Sequence, residues 1–247
     1  MLKEERHILI AERLSRDSRI YVSELSEELG VSDDTLRRDL QEMEQQGKLT
    51  KVHGGAIAKS GISLHFTERL NTQKQIKQRI AEKTVGLFND GDVIIIDGGT
   101  TNLEIARQLP DNKRFTIFTN SLPIGVALTE RQNIDLNILG GFVWGLSQVT
   151  IGLQTCQMVE NVYADWSVIG VSDLHPEKGM MTDYHEEAIT KRYMLLQGAK
   201  RITTATAEKL GTMRSYHIAS LGEIDYIITE DDRVEWIKEK WGVKNVL

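Results

Sequence analysis

Residues 32–40 read Ser-Asp-Asp-Thr-Leu-Arg-Arg-Asp-Leu, which predicts a helix with one apolar and one basic side. Ser32 is a favourable N-cap, because its hydroxyl can accept a hydrogen bond from a free backbone N–H of the first turn. The residues that recur at the spacing of one helix face are Leu36, Leu40 and Met43. Arg37 and Arg38 fall on the other side, with Thr35 one position before the core residue.

A second helix and a glycine turn precede this stretch. Residues 22–29 are expected to form a short helix held by Leu25 and Leu29, and Gly30-Val31 supplies the turn. Such a pair of helices forms a helix-turn-helix, whose second helix lies in the major groove of DNA. The contacts that we predict from this second, recognition helix are those of Ser32, Thr35, Arg37 and Arg38.

Residues 49–56 predict a tight β-hairpin, which would be the wing of a winged helix. Lys51 and His53 alternate with Val52 and should share one face, from which they could touch phosphate or the minor groove. Lys48, just before the hairpin, completes the predicted DNA contacts. The alternative is a solvated hairpin with incidental charge.

Composition excludes several classes of protein. The chain of 247 residues is 40% hydrophobic, which is enough for a buried core and argues against disorder. It contains no apolar run of about 18 residues, so we expect no membrane span. The charged N-terminus does not resemble a signal peptide, and the single cysteine, Cys156, suits a reducing cytoplasm and is expected to be a buried hydrophobe. No Cys/His cluster has ligand spacing, so we expect no metal and no cofactor.

The charge balance is unusual for a DNA-binding protein. Net charge is −6, and the first 57 residues hold more Asp and Glu than Lys and Arg, whereas DNA-binding modules are usually basic. Six acids cluster on the first two helices: Glu4, Glu5, Glu12, Glu24, Glu27 and Glu28. Five basic residues lie in or just after the recognition helix: Arg37, Arg38, Lys48, Lys51 and His53. Such a chain should make few phosphate contacts per subunit, so we predict a homo-oligomer, a dimer or a tetramer, on operator DNA.

A repeated β-then-α pattern follows. The predicted strands are residues 93–96, 115–118, 134–139, 166–170, 202–204 and 226–228, with helices between or after them. The first strand is continuously apolar, which is typical of parallel sheets covered on both faces. We therefore predict an N-terminal winged helix-turn-helix domain (1–57), a linker (58–73) and a doubly wound, mostly parallel α/β domain (74–247).

Small and hydroxylic residues follow three of these strands, at the end where ligands bind in such sheets. Asp97-Gly98-Gly99-Thr100-Thr101 offers backbone N–H groups, two hydroxyls and a helix N-terminus, which suits an anion such as phosphate. Thr119-Asn120-Ser121 adds donors, and Gly140-Gly141 allows close backbone approach. Each of these three segments alone is an ordinary connection between a strand and the next element. Together they predict a phosphate or phosphosugar pocket. Neither a nucleotide P-loop nor a Rossmann fingerprint occurs.

The chain resembles the DeoR family of bacterial transcriptional regulators. The positions that carry the resemblance are Arg6, Ile10, Leu14, Ser32, Thr35, Leu36, Arg37, Arg38, Asp39 and Leu40. Lys-Val-His-Gly-Gly-Ala at 51–56 resembles the family's wing, and the likeness continues through residues 170–173, Gly179, Glu187 and 209–211. It implies a repressor of a carbohydrate operon, with an effector domain related in fold to ribose-5-phosphate isomerase and glucosamine-6-phosphate deaminase. Asp39 is expected to be structural, tying down a neighbouring arginine or a helix terminus.

The resemblance also implies roles in the effector domain. Lys209 would help bind the anionic ligand, and Asp173 and Glu187 would line its cavity. The chain departs from the family at Thr206, where an aspartate usually stands three residues before the lysine. That loss removes a group that would orient Lys209 or a sugar hydroxyl, so the effector is atypical or the pocket degraded; a solvated loop lysine is the alternative for Lys209.

Three functions fit this sequence. The domain that follows the DNA reader senses a phosphorylated sugar, only oligomerises, or is a phosphosugar isomerase-type enzyme. Isomerisation requires a carboxylate base, for which Asp173, Asp183, His185 and Glu187 are candidates by position only. Fusion to a DNA reader favours the sensor, and we expect a regulator that is not an enzyme.

Overall fold

The computed structural model describes residues 3–17, 19–46, 49–58, 65–243 and 245–247. The chain divides into two compact units, Met1–Ile62 and Ser63–Leu247. The elements of the first unit are α1 (Lys3–Asp17), β1 (Arg19–Tyr21), α2 (Val22–Leu29), α3 (Asp33–Gln45), β2 (Leu49–Val52) and β3 (Gly55–Ala58). β3 pairs antiparallel with both β1 and β2, which gives the predicted winged helix-turn-helix.

A buried ion pair holds α1 against α3. Arg6 donates from Nε and Nη2 to the two carboxylate oxygens of Asp39, at 2.7 and 3.2 Å. His7 Nε2 lies 3.4 Å from Asp39 Oδ1, and Asp39 is only 4% exposed. The predicted structural role of Asp39 is therefore confirmed.

The second unit begins with α4 (Phe66–Asn71) and α5 (Lys74–Val85). Its strands are β4 (Val93–Ile96), β5 (Phe115–Thr119), β6 (Ile134–Ile138), β7 (Phe142–Trp144), β8 (Val149–Ile151), β9 (Ala164–Gly170), β10 (Asp173–His175), β11 (Gly179–Thr182), β12 (Gly198–Thr204), β13 (Tyr216–Ala219) and β14 (Tyr226–Ile228). Its later helices are α6 (Thr100–Gln108), α7 (Leu122–Leu128), α8 (Leu153–Val159), α9 (His185–Leu196) and α10 (Asp231–Trp241).

Six parallel strands form the central sheet, in the order β14-β12-β9-β4-β5-β6. Ile94 and Ile96 pack in one core cluster with residues of α5, α6 and α7, while Ile95 packs in a second with residues of α8, α9 and α10. Helices therefore cover both faces, as predicted. The chain proceeds outward from β4 in one direction and from β9 in the other, so the topological switch point lies between these two strands.

Two smaller sheets were not predicted. β7 and β8 form an antiparallel hairpin, and β10, β11 and β13 form a three-stranded antiparallel sheet. The hairpin lies against the end of β5, because Thr150 N–H donates to the Asn120 carbonyl at 2.8 Å and Val149 bridges with Ser121.

The second half of the predicted linker (58–73) contains a helix, α4. Phe66 is 4% exposed and packs in the core of the second unit, and its N–H donates to the Leu146 carbonyl at 2.9 Å. α4 thus belongs to the second unit; at six residues it is too short to show a helical period in sequence. Residues 59–64 lie outside the described residues. Within the described ranges, no helix combines the length and apolar character needed to cross a bilayer.

Candidate functional sites

The N-terminus of α3 has the predicted capped geometry. Thr35 N–H donates to Ser32 Oγ at 3.3 Å, and the two hydroxyl oxygens lie 2.9 Å apart. Gly30 adopts the left-handed conformation (φ 62°) that turns the chain from α2 into α3. Ser26 Oγ donates to Asp33 Oδ1 at 2.7 Å, so the two helices are also joined side chain to side chain.

Arg37 and Arg38 are both exposed on α3. The Arg37 guanidinium lies 3.7 Å from Asp33 and 3.9 Å from Asp34, with its side chain 60% exposed. Surface ion pairs of this kind contribute little stability. Arg37 can therefore exchange these contacts for a phosphate or a base at small cost.

The hairpin places its two predicted contact residues differently from each other. Lys51 lies along α3, because its N–H donates to Glu44 Oε1 at 2.7 Å and its Nζ to Gln41 Oε1 at 3.4 Å. β2 ends at Val52, and exposed His53 lies in the turn, so the predicted alternation with Lys51 does not hold. Lys48 falls outside the described residues.

A buried ion cluster occupies the switch point of the second unit. Asp97 directly follows β4 and is 0% exposed. Its Oδ2 accepts hydrogen bonds from Gly170 N–H, at 3.1 Å, and from Lys191 Nζ. Lys191 Nζ also lies 3.5 Å from Glu187 Oε1. Burial lowers the pKa of Lys191, but Asp97 and Glu187 outweigh burial and raise it above the usual value, so the ammonium stays charged.

Backbone and side-chain contacts lock the ends of β4, β9 and β12 together. Asn102 Nδ2 donates to the Asp97 carbonyl at 2.9 Å, and Asn102 Oδ1 accepts from Thr204 Oγ1 at 3.1 Å. A Cβ at Gly170 would lie 2.9 Å from the Gly98 carbonyl oxygen. Only glycine permits this approach of β9 to the loop after β4.

The loop after β4 presents the N-terminus of α6. Gly99, at φ 128°, precedes the helix, and Gly98 N–H is held by Asn120 Oδ1 at 3.1 Å. The hydroxyls of Thr100 and Thr101 have no hydrogen-bond partner in the part of the chain that the structure describes. First-turn amides of a helix lack intrahelical partners and carry partial positive charge. Amides and hydroxyls together suit a phosphate.

The predicted Thr119-Asn120-Ser121 donors are engaged within the protein. All three are 0% exposed. Thr119 Oγ1 accepts from Ser121 N–H at 3.1 Å, Asn120 Nδ2 donates to the Thr150 carbonyl at 3.2 Å, and Ser121 Oγ accepts from Ile124 N–H at 3.4 Å. These residues position the Gly98 loop and start α7.

Gly140 and Gly141 lie against α8 rather than against Asp97. Thr155 Oγ1 donates to the Gly140 carbonyl at 2.8 Å. A Cβ added at Gly141 would lie 2.2 Å from Thr155 Oγ1. The close approach that the two glycines permit is therefore that of α8. An open depression beside them is lined also by Gln154, Gln157 and Met158.

Three basic side chains converge near the end of β9. Lys209 Nζ donates to the Val171 carbonyl at 2.7 Å, and Lys77 Nζ to the Arg69 carbonyl at 2.5 Å. Burial, followed by the charge of Arg69, lowers the pKa of Lys209 to about 8. Burial lowers the pKa of Lys77 to about 8 as well, with Arg69 acting in the same direction. Lysines held together in this way gain from an anion between them.

The acids that could serve as a base are paired. Asp173 is 3% exposed and accepts from Thr212 Oγ1 and Arg214 Nε, while Arg214 Nη1 lies 3.2 Å from Asp183 Oδ1. Burial raises the pKa of Asp173, although these donors oppose the shift. Besides Lys191, Glu187 contacts Thr182 Oγ1 at 3.4 Å.

Thr206, at the departure from the family pattern, is 1% exposed. Its hydroxyl donates to Glu208 Oε1 at 3.3 Å, and Gln73 Nε2 donates to Glu208 Oε2 at 2.9 Å. The segment before Lys209 is thus held by a neighbouring acid.

The sequence reasoning missed Lys191, Asn102, Lys77 and Arg69. Lys191 alone carried a visible signal, since it stands four residues after Glu187 on a helix, where opposite charges meet.

Comparison with known proteins identifies the two units. Residues 6–61 match the DeoR-like helix-turn-helix domain, and residues 72–231 match the DeoR C terminal sensor domain. The chain belongs to the DeoR family. It is a helix-turn-helix transcriptional regulator, as the resemblance implied.

Full-length relatives agree with this assignment. The transcriptional regulator GlpR of Haloferax volcanii is 32% identical, covering 93% of this chain and 91% of its own. The transcriptional repressor GlcR of Bacillus subtilis is 31% identical, covering 93% and 89%. The lactose phosphotransferase system repressor of Staphylococcus epidermidis is 30% identical, covering 95% of each chain. Among solved structures, ribose 5-phosphate isomerase A of Methanocaldococcus jannaschii aligns with 56% of this chain and 55% of its own, at 14% identity and a TM-score of 0.42.

Proposed function

We propose that this regulator represses a carbohydrate operon in the cytoplasm and that a phosphorylated sugar bound in the second unit releases it from operator DNA. Two of the relatives are named as repressors, one of them of a lactose phosphotransferase system. Recognition helix α3 supplies Ser32, Thr35, Arg37 and Arg38 to the operator. Lys48, Lys51 and His53 supply wing contacts. Because the first unit carries few cations, a dimer or tetramer pairs two such units on DNA half-sites.

The observation that carries the effector proposal is the N-terminus of α6. Among the described residues the hydroxyls of Thr100 and Thr101 have no hydrogen-bond partner, and they lie beside first-turn amides that lack intrahelical acceptors. Lys209 approaches from the end of β9, because its ammonium binds the carbonyl of Val171, next to the Gly170 that contacts Asp97. The phosphate occupies this positive region. Asp97, Glu187 and Asp173 shape the remainder of the site.

The arrangement favours sensing over turnover. A base that moves a proton between sugar carbons must be free to accept it. Glu187 instead faces the charged Lys191, and Asp173 accepts hydrogen bonds from Arg214 and Thr212. A sensor requires only that the effector bind the DNA-free conformation more tightly than the DNA-bound one.

The test is the melting temperature of the full chain with glucose 6-phosphate, fructose 6-phosphate, fructose 1-phosphate and the unphosphorylated sugars. We expect a saturable rise with one phosphorylated compound. Thr100→Ala should weaken its binding about tenfold or more, since a hydrogen bond to a charged group contributes about 1.5–3 kcal/mol. Thr129→Ala, at the exposed C-cap of α7, is the matched control.

Two outcomes would contradict the proposal. If no sugar phosphate changes the melting temperature while the chain still binds operator DNA, the second unit serves oligomerisation. If a bound sugar phosphate is converted to its isomer, as followed by NMR, the unit is an enzyme.

A further inference from the structure

Two aromatic rings join the two structural elements that border the Asp97-Gly98 loop. Trp144 and Tyr184 stack with ring centroids 4.1 Å apart and planes 3° from parallel. Trp144 ends β7, and Tyr184 is the N-cap of α9. Neither residue has a role in the site described above.

The hairpin brings Trp144 beside the loop. Trp144 is the register partner of Val149 in β8. Val149 packs so closely on Gly98 that a Cβ added to this glycine would lie 2.1 Å from Val149 Cγ1. The strand that carries Trp144 therefore lies one strand away from the first residues of the anion-binding loop.

Helix α9 also reaches the loop. Tyr184 precedes its first turn, and its carbonyl accepts from Ala188 N–H at 3.0 Å. The same helix carries Lys191, whose ammonium binds Asp97. The stacked rings thus bridge the two elements that contact Asp97 and Gly98.

The indole of Trp144 also carries an unsatisfied donor. Its Nε1 is inaccessible to solvent and has no hydrogen-bond partner among the described residues. Buried tryptophan N–H groups usually have one. Trp166, for comparison, donates from Nε1 to Asp92 Oδ2 at 2.8 Å. A ring needed only for packing on Tyr184 would not require this donor.

We infer that Trp144 is an effector-binding residue: its indole N–H donates to an oxygen of the bound sugar phosphate while Tyr184 holds the ring in place. This inference rests on the proposed effector function. The stack then forms one wall of the site, and the donor discriminates among effectors by their oxygen-bearing groups. The sugar phosphate replaces the missing acceptor, so that its binding satisfies the buried N–H.

Trp144→Phe in the full chain tests the inference, since phenylalanine retains a ring on Tyr184 and removes the donor. Binding of glucose 6-phosphate, fructose 6-phosphate and fructose 1-phosphate is measured by calorimetry and by tryptophan emission. We expect Trp144→Phe to bind about 3- to 30-fold more weakly, as for the loss of one hydrogen bond, with the unliganded melting temperature within about 2 °C. The matched control is Trp236→Phe in α10, which should bind as the unmodified chain does.

Tryptophan emission provides a second readout. The sugar phosphate should change the emission of the unmodified protein and of Trp236→Phe, and this change should be absent from Trp144→Phe. Unchanged affinity in Trp144→Phe, or binding to the unmodified chain without a change in emission, would overturn the inference and leave the proposed function intact. If the unmodified chain binds none of the three probes, the proposed function fails and this inference fails with it. If Trp144→Phe does not fold, the unmodified chain still tests the inference, because binding of a sugar phosphate without a change in tryptophan emission overturns it.

Discussion

Replacing Lys191 with methionine removes the ammonium that binds both Asp97 and Glu187. Methionine has a similar length, so the variant mainly removes charge. Taking one partner out of a buried ion pair costs about 3–5 kcal/mol, because the remaining charge stays buried without compensation. Here Asp97 keeps the Gly170 N–H and Glu187 keeps the Thr182 hydroxyl. We therefore expect a loss near the lower end, about 3 kcal/mol.

Thermal unfolding measures this loss. In a domain of about 150–250 residues, each kcal/mol lowers the melting temperature by about 2–4 °C, so Lys191→Met should melt roughly 6–12 °C below the unmodified chain at pH 7.5. Lys178→Met, at an exposed position, is the control. A fall of less than about 3 °C at pH 7.5, or one equal to that of Lys178→Met, would refute the reasoning.

Three further predictions concern operator binding, effector binding and the pH dependence of stability. Arg37→Ala should weaken operator binding by about 1–3 kcal/mol in a mobility-shift titration if Arg37 contacts a base, whereas Arg233→Ala on exposed α10 should not; unchanged affinity in Arg37→Ala removes Arg37 from the interface. Effector affinity should fall between pH 7 and 9, because Lys77 and Lys209, each with a pKa of about 8, lose charge in that range. Calorimetry in buffers of different ionisation enthalpy should show proton uptake near pH 8, and pH-independent affinity would place the phosphate elsewhere. Without effector, the same lowered pKa values make stability rise with pH above about 8, since the unfolded chain then binds more protons than the folded one.

Features set by neighbours in sequence could be predicted. The N-cap at Ser32 and the apolar spacing from Leu36 to Met43 depend on one helix alone, and the structure has both. The apolar run Val93–Ile96 was enough to indicate a central parallel strand. The fold class followed from such local patterns and their order along the chain.

Features set by distant partners could not be predicted. Lys191 becomes a buried residue only because Asp97, 94 positions earlier, lies beside it. Arg69 lies on the short helix α4, within the stretch that the sequence predicts as a linker. Lys77 lies on α5 and is buried with its ammonium on the Arg69 carbonyl, a contact that the helical pattern of α5 alone does not indicate. β7 and β8 are three residues each, too short to show strand alternation. Hydroxylic residues at strand ends also look alike in sequence. The Thr119 hydroxyl accepts a hydrogen bond from Ser121 N–H, whereas the Thr100 hydroxyl has no partner among the described residues.

The lock between Asn102 and Thr204 joins residues 102 positions apart. Contacts of such long range form late in folding, because a large loop must close before they can contribute. A chain still emerging from the ribosome possesses the α6 loop long before β12 exists to complete its surroundings. Effector binding therefore requires the complete sheet. Ligand binding then opposes unfolding of the whole second unit rather than the opening of a single loop.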